Sequence, residues 1–259
     1  MYATERHEQI ELLLAAEGRV GVVELAERFD VTTETIRRDL DHLESLGALR
    51  RVHGGAVGRE RASTREPSLA EREHHHGRAK AAIGRRALEA LHADFSGSVF
   101  LDAGTTTAAV ASALIPRLPG ARIEVVTHAL SLGHTLSAVP GTALSLIGGR
   151  VRGLTAAAVG ADTVRAIESL RPDVAYIGTN GVSASFGLST PDPDEAAVKR
   201  AIVRSARRVV VVADADKFGA ELLVGFASLR DIDVLVTDTA PDGDLAEALA
   251  DAEVEVWLA

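Results

Sequence analysis

The sequence predicts two α/β units of unequal size: a small helical module with a basic ribbon, then a larger domain whose sheet is mostly parallel. Three observations carry this. A capped amphipathic helix beginning at Thr32 is followed by Gly47 and a turn-rich basic stretch. From Lys80 onward, short apolar runs alternate with helical patterns. Between the two, the chain is polar enough to read as a linker, so the expected boundaries are 1–57, 58–76 and 77–259. A chain of 259 residues suffices for a small module plus one sizeable core.

Composition narrows the classes. The formal net charge of −9 argues against a general polyanion binder, so nucleic-acid contact would need a local patch. There is no cysteine, hence no disulfide and no thiolate metal site; a reducing cytoplasm is the expected location. Glu5, Arg6, His7 and Glu8 make the N-terminus too charged for a signal peptide. No apolar run approaches the roughly 20 residues that a membrane span needs. Of 28 Lys+Arg only Lys80, Lys199 and Lys217 are lysine. They are candidates for positions where a compact ammonium matters, the alternative being chance in an arginine-biased chain.

In the N-terminal module, Ile10, Leu13 and Leu14 share one helical face, and Gly18 ends that pattern. Val22, Val23, Leu25, Ala26 and Phe29 mark a second short helix, and Asp30-Val31 a tight turn. The third helix opens on Thr32 as N-cap with Glu34 in its first turn. Ile36, Leu40, Leu43 and Leu46 form its apolar face and Gly47 its stop. Three short helices with this turn have helix-turn-helix spacing. Thr33, Thr35, Arg37 and Arg38 suit phosphates and base edges. From Gly47 to Arg65, Arg50, Arg51, Arg59, Arg61 and Arg65 face only Glu60, a wing-like basic ribbon. A three-helix bundle with a solvated charged face fits the same pattern, since residues 1–57 are net acidic.

The run from Val31 to Leu40, followed by Gly47 and then Leu49-Arg50-Arg51-Val52-His53-Gly54-Gly55-Ala56, resembles the N-terminal signature of the DeoR family of bacterial transcription regulators. The resemblance implies a winged helix-turn-helix in which Thr32 caps the reading helix and Thr33, Thr35, Arg37 and Arg38 contact DNA. It also places Arg50, Arg51 and His53 on or beside the wing. Gly21 stands where the family often has a serine cap, so the second helix is expected to fray more.

In the larger domain, strands are expected at Val99–Leu101, Ile123–Val126, Leu144–Ile147, Ala175–Ile177, Val209–Val212, Val234–Val236 and Val254–Trp257. Helices are expected at Lys80–Leu91, Ala108–Leu114, Val164–Leu170, Glu195–Ala206 and Leu245–Ala250. Apolar strands alternating with helices argue for a mostly parallel sheet. His74-His75-His76 does not read as a metal site, because neighbours on a helix point about 100° apart.

Ligands of such sheets sit at the carboxyl ends of the strands. The first strand leads into Asp102-Ala103-Gly104-Thr105-Thr106-Thr107 and directly into a helix. Glycine, three hydroxyls and free helix amides suit phosphate, although a plain N-cap with incidental threonines fits too. Other strand ends offer Thr127-His128-Ala129, Gly148-Gly149-Arg150, Gly178-Thr179-Asn180-Gly181 and Asp214 through Gly219, with Lys199 on a nearby helix. These types suit a phosphorylated polyol.

The DeoR resemblance continues through these motifs and implies sugar-phosphate sensing on a fold similar to ribose-5-phosphate isomerase. It implies that Gly104, Thr105, Thr106 and Thr107 hold phosphate, that Asp102, Lys199 and Lys217 line the sugar, and that Arg150 and Asp214 belong to the effector motifs. His128 stands where the family usually has asparagine; it is either an effector contact that titrates near neutral pH or a packed rim residue. The expected function is a DNA-binding regulator, most often a repressor of carbohydrate genes, with operator DNA and a phosphorylated sugar as partners. No cofactor and no metal are expected. An isomerase carrying a DNA-binding appendage is disfavoured, since Gly178-Thr179-Asn180-Gly181 offers no carboxylate base. A ligand-free architectural protein is disfavoured by the rim chemistry. A homo-oligomer, dimer or tetramer, is expected because one short helix reads few bases.

Overall fold

The structure, a computed structural model, describes residues 3–45, 49–58, 63–64, 66 and 68–259. The chain forms two compact units, Met1–Arg65 and Glu66–Ala259. The expected apolar contact of Leu46, the stop at Gly47, and Arg59, Glu60, Arg61 and Arg65 lie outside the described residues.

The first unit runs α1 (Ala3–Glu17), β1 (Arg19–Gly21), α2 (Val22–Phe29), α3 (Thr33–Ser45), β2 (Leu49–Val52) and β3 (Gly55–Gly58). Its core joins Ile10 and Leu14 of α1, Leu25 of α2, Ile36, Leu40 and Leu43 of α3, and Leu49 and Ala56 of the ribbon. Val22 is buried while Val23 is 63% exposed, because adjacent helical side chains diverge and only one reaches the core. The ribbon is three-stranded, in the order β1-β3-β2, with both pairings antiparallel. Strand β1 is too short to show a period, so pattern reading missed it. A side chain on Gly55 would meet the Val20 carbonyl oxygen at 2.0 Å, so only glycine lets these strands approach. Gly21 caps α2 without a side chain, yet the first amide of α2, on Val22, finds the Gly54 carbonyl at 2.7 Å. The wing thus supplies a partner that the missing serine does not.

A buried ion pair ties α1 to α3. The Arg6 guanidinium donates to both Asp39 oxygens at 2.6 and 3.0 Å, and His7 Nε2 lies 2.9 Å from Oδ1. Burial opposes the Asp39 charge, but these partners outweigh it and hold the carboxyl below its ordinary range.

The second unit continues with α4 (Leu69–His74), α5 (Gly77–Ala87), β4 (Gly97–Leu101), α6 (Thr105–Leu114), β5 (Ile123–Thr127), α7 (Leu130–Ser137) and β6 (Ala143–Leu146). A hairpin of β7 (Arg150–Arg152) and β8 (Ala157–Val159) precedes α8 (Ala161–Glu168) and β9 (Val174–Gly178). Then come β10 (Gly181–Ser183), β11 (Gly187–Thr190), α9 (Pro193–Ser205), β12 (Val209–Val212), β13 (Val224–Ala227), β14 (Val234–Thr237), α10 (Gly243–Asp251) and β15 (Glu255–Leu258). Seven strands form one parallel sheet in the order β15-β14-β12-β9-β4-β5-β6. A small antiparallel sheet, β10-β11-β13, stands beside it.

Alternation within each strand builds two cores. Val99, Leu101, Val210, Val212, Val234 and Val236 pack with α5, α6 and α7. Phe100, Ala175, Ile177, Val209, Val211 and Leu235 pack with α8, α9 and α10. Both faces are covered, which is why these strands read as unbroken apolar runs. Helices α6 and α8 begin three residues before their expected starts, because periodicity registers only where an apolar face begins. Helix α4 falls within the stretch read as linker; its Ser68–Glu71 capping box is local chemistry that polar composition conceals.

The Arg6–Asp39 pair makes the first testable statement. Asp39→Ala strands a buried guanidinium and should cost roughly 3–5 kcal/mol in the first unit. Amide hydrogen exchange of α1 and α3 should accelerate while that of α6 and β4 is unchanged.

Candidate functional sites

In the first unit, α3 presents the residues expected at DNA. Thr32 Oγ1 accepts the Thr35 amide at 3.1 Å and lies 2.9 Å from the Thr35 hydroxyl, so Thr32 and Thr35 fix the helix start. Thr33 is half-buried; Arg37 and Arg38 are exposed. Both arginines lie near Glu34, at 3.7 and 3.6 Å. Such exposed pairs are weak, of order 0–1 kcal/mol, so a phosphate competes easily for both arginines. Arg50 and His53 are exposed on the ribbon.

Arg51 lies on wing strand β2 as expected, but its side chain turns inward. Its guanidinium turns back to the Arg37 carbonyl at 3.0 Å and to Asp41, while its amide donates to Glu44 at 2.6 Å. Strand alternation sends Arg50 and Arg51 to opposite faces, and the acids on the later turns of α3 capture the second. Arg51 here braces the wing against α3 rather than pointing outward. Arg19, which pattern reading passed over, braces the wing turn through the His53 carbonyl at 3.2 Å.

In the second unit, the sheet order locates the other site. From β4 the chain winds outward through β5 and β6, then returns to β9 beside β4 and winds the other way. The crevice between the ends of β4 and β9 is therefore the topological switch point, where ligands of such sheets bind. Asp102 leaves β4 there, fully buried. Its Oδ2 accepts from the Gly178 amide at 3.0 Å and from Lys199 Nζ, which also donates to the Gly178 carbonyl at 2.8 Å. Its Oδ1 lies 3.0 Å from His128 Nε2. His128 Nδ1 faces the Ala158 carbonyl at 2.8 Å, an acceptor only, so Nδ1 carries a proton. Nε2 also lies 3.3 Å from the Ala103 amide, so its role changes with its proton. Burial opposes ionisation of Asp102, but the Lys199 charge and the His128 contact outweigh it and bring the carboxyl down to about 2.

Asp102 and Lys199, expected to line the sugar, lie below the rim of strand ends. They are 0% and 5% exposed and form an ionic cluster beneath it, because two opposite charges out of water are satisfied by each other and by backbone. His128 is likewise buried. Thr107 is also inside, its hydroxyl donating to the Gly104 carbonyl at 2.9 Å, so only Thr105 and Thr106 of the three threonines remain partly accessible. Gly104, at φ +148°, makes the bend between β4 and α6 in a conformation that favours glycine.

The remaining expected residues lie farther along the strand ends. Lys217 is partly exposed, 4.0 Å from Asp214 Oδ1. Asp214 is 2% exposed, and that oxygen has no hydrogen-bond partner among the described residues. Arg150 is exposed and paired with Asp194 at the start of α9.

The structure adds a network that no local pattern announces. Arg152 donates to Asp192 at 3.0 Å and Glu195 at 3.2 Å and lies 2.7 Å from Glu66. Thr155 donates to Glu195 as well. Arg72 stands 3.6 Å from Glu66. Of the histidine run, His76 pairs with Asp216 at 2.8 Å, one residue before Lys217.

The Asp102 carboxyl sits below its ordinary 3.8, so its ion pair stabilises the fold above that pH and is lost as pH falls toward 2. The difference corresponds to about 2 kcal/mol. Thermal denaturation between pH 5 and pH 2, in steps of about one unit, should show this loss, and Asp102→Asn should flatten it.

Comparisons with known proteins identify both domains. Residues 6–62 match the DeoR-like helix-turn-helix domain, and residues 75–239 match the DeoR C terminal sensor domain. The chain is 37% identical over 257 residues to the HTH-type transcriptional regulator GlpR of Haloferax volcanii, covering 99% of this chain and 98% of that one. It is 31% identical over 258 residues to the glycerol-3-phosphate regulon repressor of Escherichia coli, covering 100% of both. Among solved structures, ribose 5-phosphate isomerase from Plasmodium falciparum is similar over 54% of this chain and 52% of that one, at 12% identity and a TM-score of 0.39. Among the described residues, no helix is long and apolar enough to cross a membrane. With both domain models matched in order and full-length relatives above 30% identity, the chain belongs to the DeoR family of DNA-binding transcriptional regulators.

Proposed function

We propose that this protein is a repressor that binds operator DNA through α3 and the wing, and that a phosphorylated sugar or polyol in the second unit changes its DNA affinity. The observation that carries the ligand half is the charged cluster at the switch point, Asp102 with Lys199 and His128, set directly before the free amides of α6. The name of the Escherichia coli relative, a glycerol-3-phosphate regulon repressor, supports the same ligand class. The effector residues are Gly104, Thr105 and Thr106 for phosphate, Lys217, Asp214 and Arg150 at the rim, and Asp102, Lys199, His128 and Thr107 as the buried support. Both oxygens of Asp102 are engaged, so it is no free base, which favours binding without turnover. Two copies acting together place two α3 helices on paired half-sites.

The contacts around Glu66 support a route from ligand to DNA. Where the second unit begins, Glu66 is tied through Arg152 to the first turn of α9, which carries Lys199. His76 is tied to Asp216 beside Lys217. A ligand that repositions α9 or Lys217 pulls on the segment that leads to the DNA-binding module. Such coupling is worth roughly 1–3 kcal/mol, about 5- to 150-fold in affinity.

Fluorescence anisotropy with labelled DNA from upstream of the protein's own gene, at fixed salt with and without a panel of phosphosugars, tests the proposal. One phosphosugar should shift the affinity; a flat response across the panel refutes the effector half. Arg37→Ala with Arg38→Ala should weaken DNA binding and lower the salt slope by about one per lost phosphate contact. Unchanged affinity would remove α3 from the interface. Lys217→Ala should abolish the ligand response and leave DNA binding intact. Glu66→Gln should leave phosphosugar affinity within about twofold yet reduce its effect on DNA binding, and an undiminished effect would eliminate this route.

A further inference from the structure

A cavity of about 330 Å³ opens beside α9, away from the residues assigned above. Arg200, Val203 and Arg204 of α9 form one wall, Gly225 and Phe226 of β13 another, and Phe186, just before β11, a third. Arg200 and Arg204 stand one helical turn apart, where like charges repel. Neither forms an ion pair among the described residues. Arg200 donates one N–H to the Gly225 carbonyl at 2.7 Å, which anchors its fork and leaves other donors uncommitted. The acid at the rim, Asp231, is engaged in its own turn, accepting the Ser228 amide and hydroxyl, both at 2.7 Å.

The apolar wall is equally specific. The chain has six phenylalanines, and Phe186 is the large aromatic left exposed among the described residues, at 43%. Its ring lies against Gly225, where a Cβ would stand 3.3 Å from it. One anchored guanidinium, Arg200, and a second, exposed one, Arg204, beside an open aromatic face, in a volume at the lower end of small-ligand pockets, define a ligand type. We propose that this cavity is a second ligand site, for a small aromatic anion: an aromatic ring bearing a carboxylate or phosphate. The anion sits on Arg200 and Arg204, bidentately where geometry allows, and the ring stacks on Phe186. The cavity shares Phe226 with the buried cluster, since Lys199 Nζ lies 5.6 Å from that ring's centroid.

Calorimetric titration of the full chain with phenyl phosphate, benzoate and inorganic phosphate tests this. At least one aryl anion should bind at one per chain, about tenfold more tightly than inorganic phosphate, because the ring adds stacking and apolar burial. Binding of phenyl phosphate alone identifies a phosphate ligand, and binding of benzoate alone a carboxylate. Arg204→Ala, and separately Phe186→Ala, should each weaken the aryl probe by roughly tenfold. Both side chains are exposed, and an unchanged thermal unfolding midpoint checks that the second unit of each variant is folded. Lys217→Ala should leave the probe's affinity unchanged. No heat with either aryl anion at millimolar concentration, or affinity untouched in both cavity variants, overturns the proposal. So does loss in Lys217→Ala, which assigns the probe to the strand-end site. None of these readings depends on whether a phosphosugar acts on this protein.

Discussion

A lysine ammonium and a carboxylate, both out of water, hold the centre of the sensor unit. Asp102 and Lys199 are 97 residues apart, and each would be costly to bury alone. They meet at the switch point because β4 and β9 are neighbours whose connections leave in opposite directions, opening a gap at their ends. The pair is compatible with burial because backbone and imidazole complete it: the Gly178 amide and carbonyl and His128 all face it. Helix α9 is therefore pinned at one depth against the sheet. What α9 carries, Arg200 and Arg204 on one side and Asp194 and Glu195 at its start after the cap Asp192, takes its place from that pin.

The scarcity of lysine acquires a physical meaning in this setting. Lys199 fits its ammonium between a carboxylate and a carbonyl, and Lys80 donates to the Arg72 and His75 carbonyls at 2.6 and 2.7 Å. Each is a narrow, polar socket that a planar guanidinium would overfill. Burial lowers the Lys80 pKa despite nearby Asp214. Lys80 thereby fixes the corner between α4 and α5. Arginine does the other work: Arg152 bridges three carboxylates with one fork, which a point charge cannot do as well.

The DNA-binding module resolves a tension in its own composition. A net acidic module reads DNA only if its acids face elsewhere or are spoken for. Asp39 is buried on Arg6 and His7, and Asp41 and Glu44 are taken by Arg51. Glu34 remains near Arg37 and Arg38, as a surface partner that a phosphate displaces at little cost. Arg51 gives up an outward position so that the wing is held against the helix beside it.

Local physics in the sequence determined much of this. Apolar runs marked all seven strands of the parallel sheet, most cleanly β9, β12 and β14, where both faces are covered and nothing polar interrupts the run. Thr32 announced its own cap, because capping involves residues three apart. The family signature announced a DNA-reading helix, a wing and a sensor domain. The short strands β1, β10 and β11, helix α4 and the hairpin of β7 and β8 were illegible, being too brief for a period or hidden in polar composition. Tertiary structure alone decided which charges meet: Asp102 with Lys199, Arg6 with Asp39, Glu66 with Arg152. It turned Arg51 inward, placed Asp102 and Lys199 below the rim, and left Arg200 and Arg204 facing a cavity. Periodicity reports what lies within a turn or two along the chain, whereas a buried charge selects its partner across distances that only the folded sheet brings together.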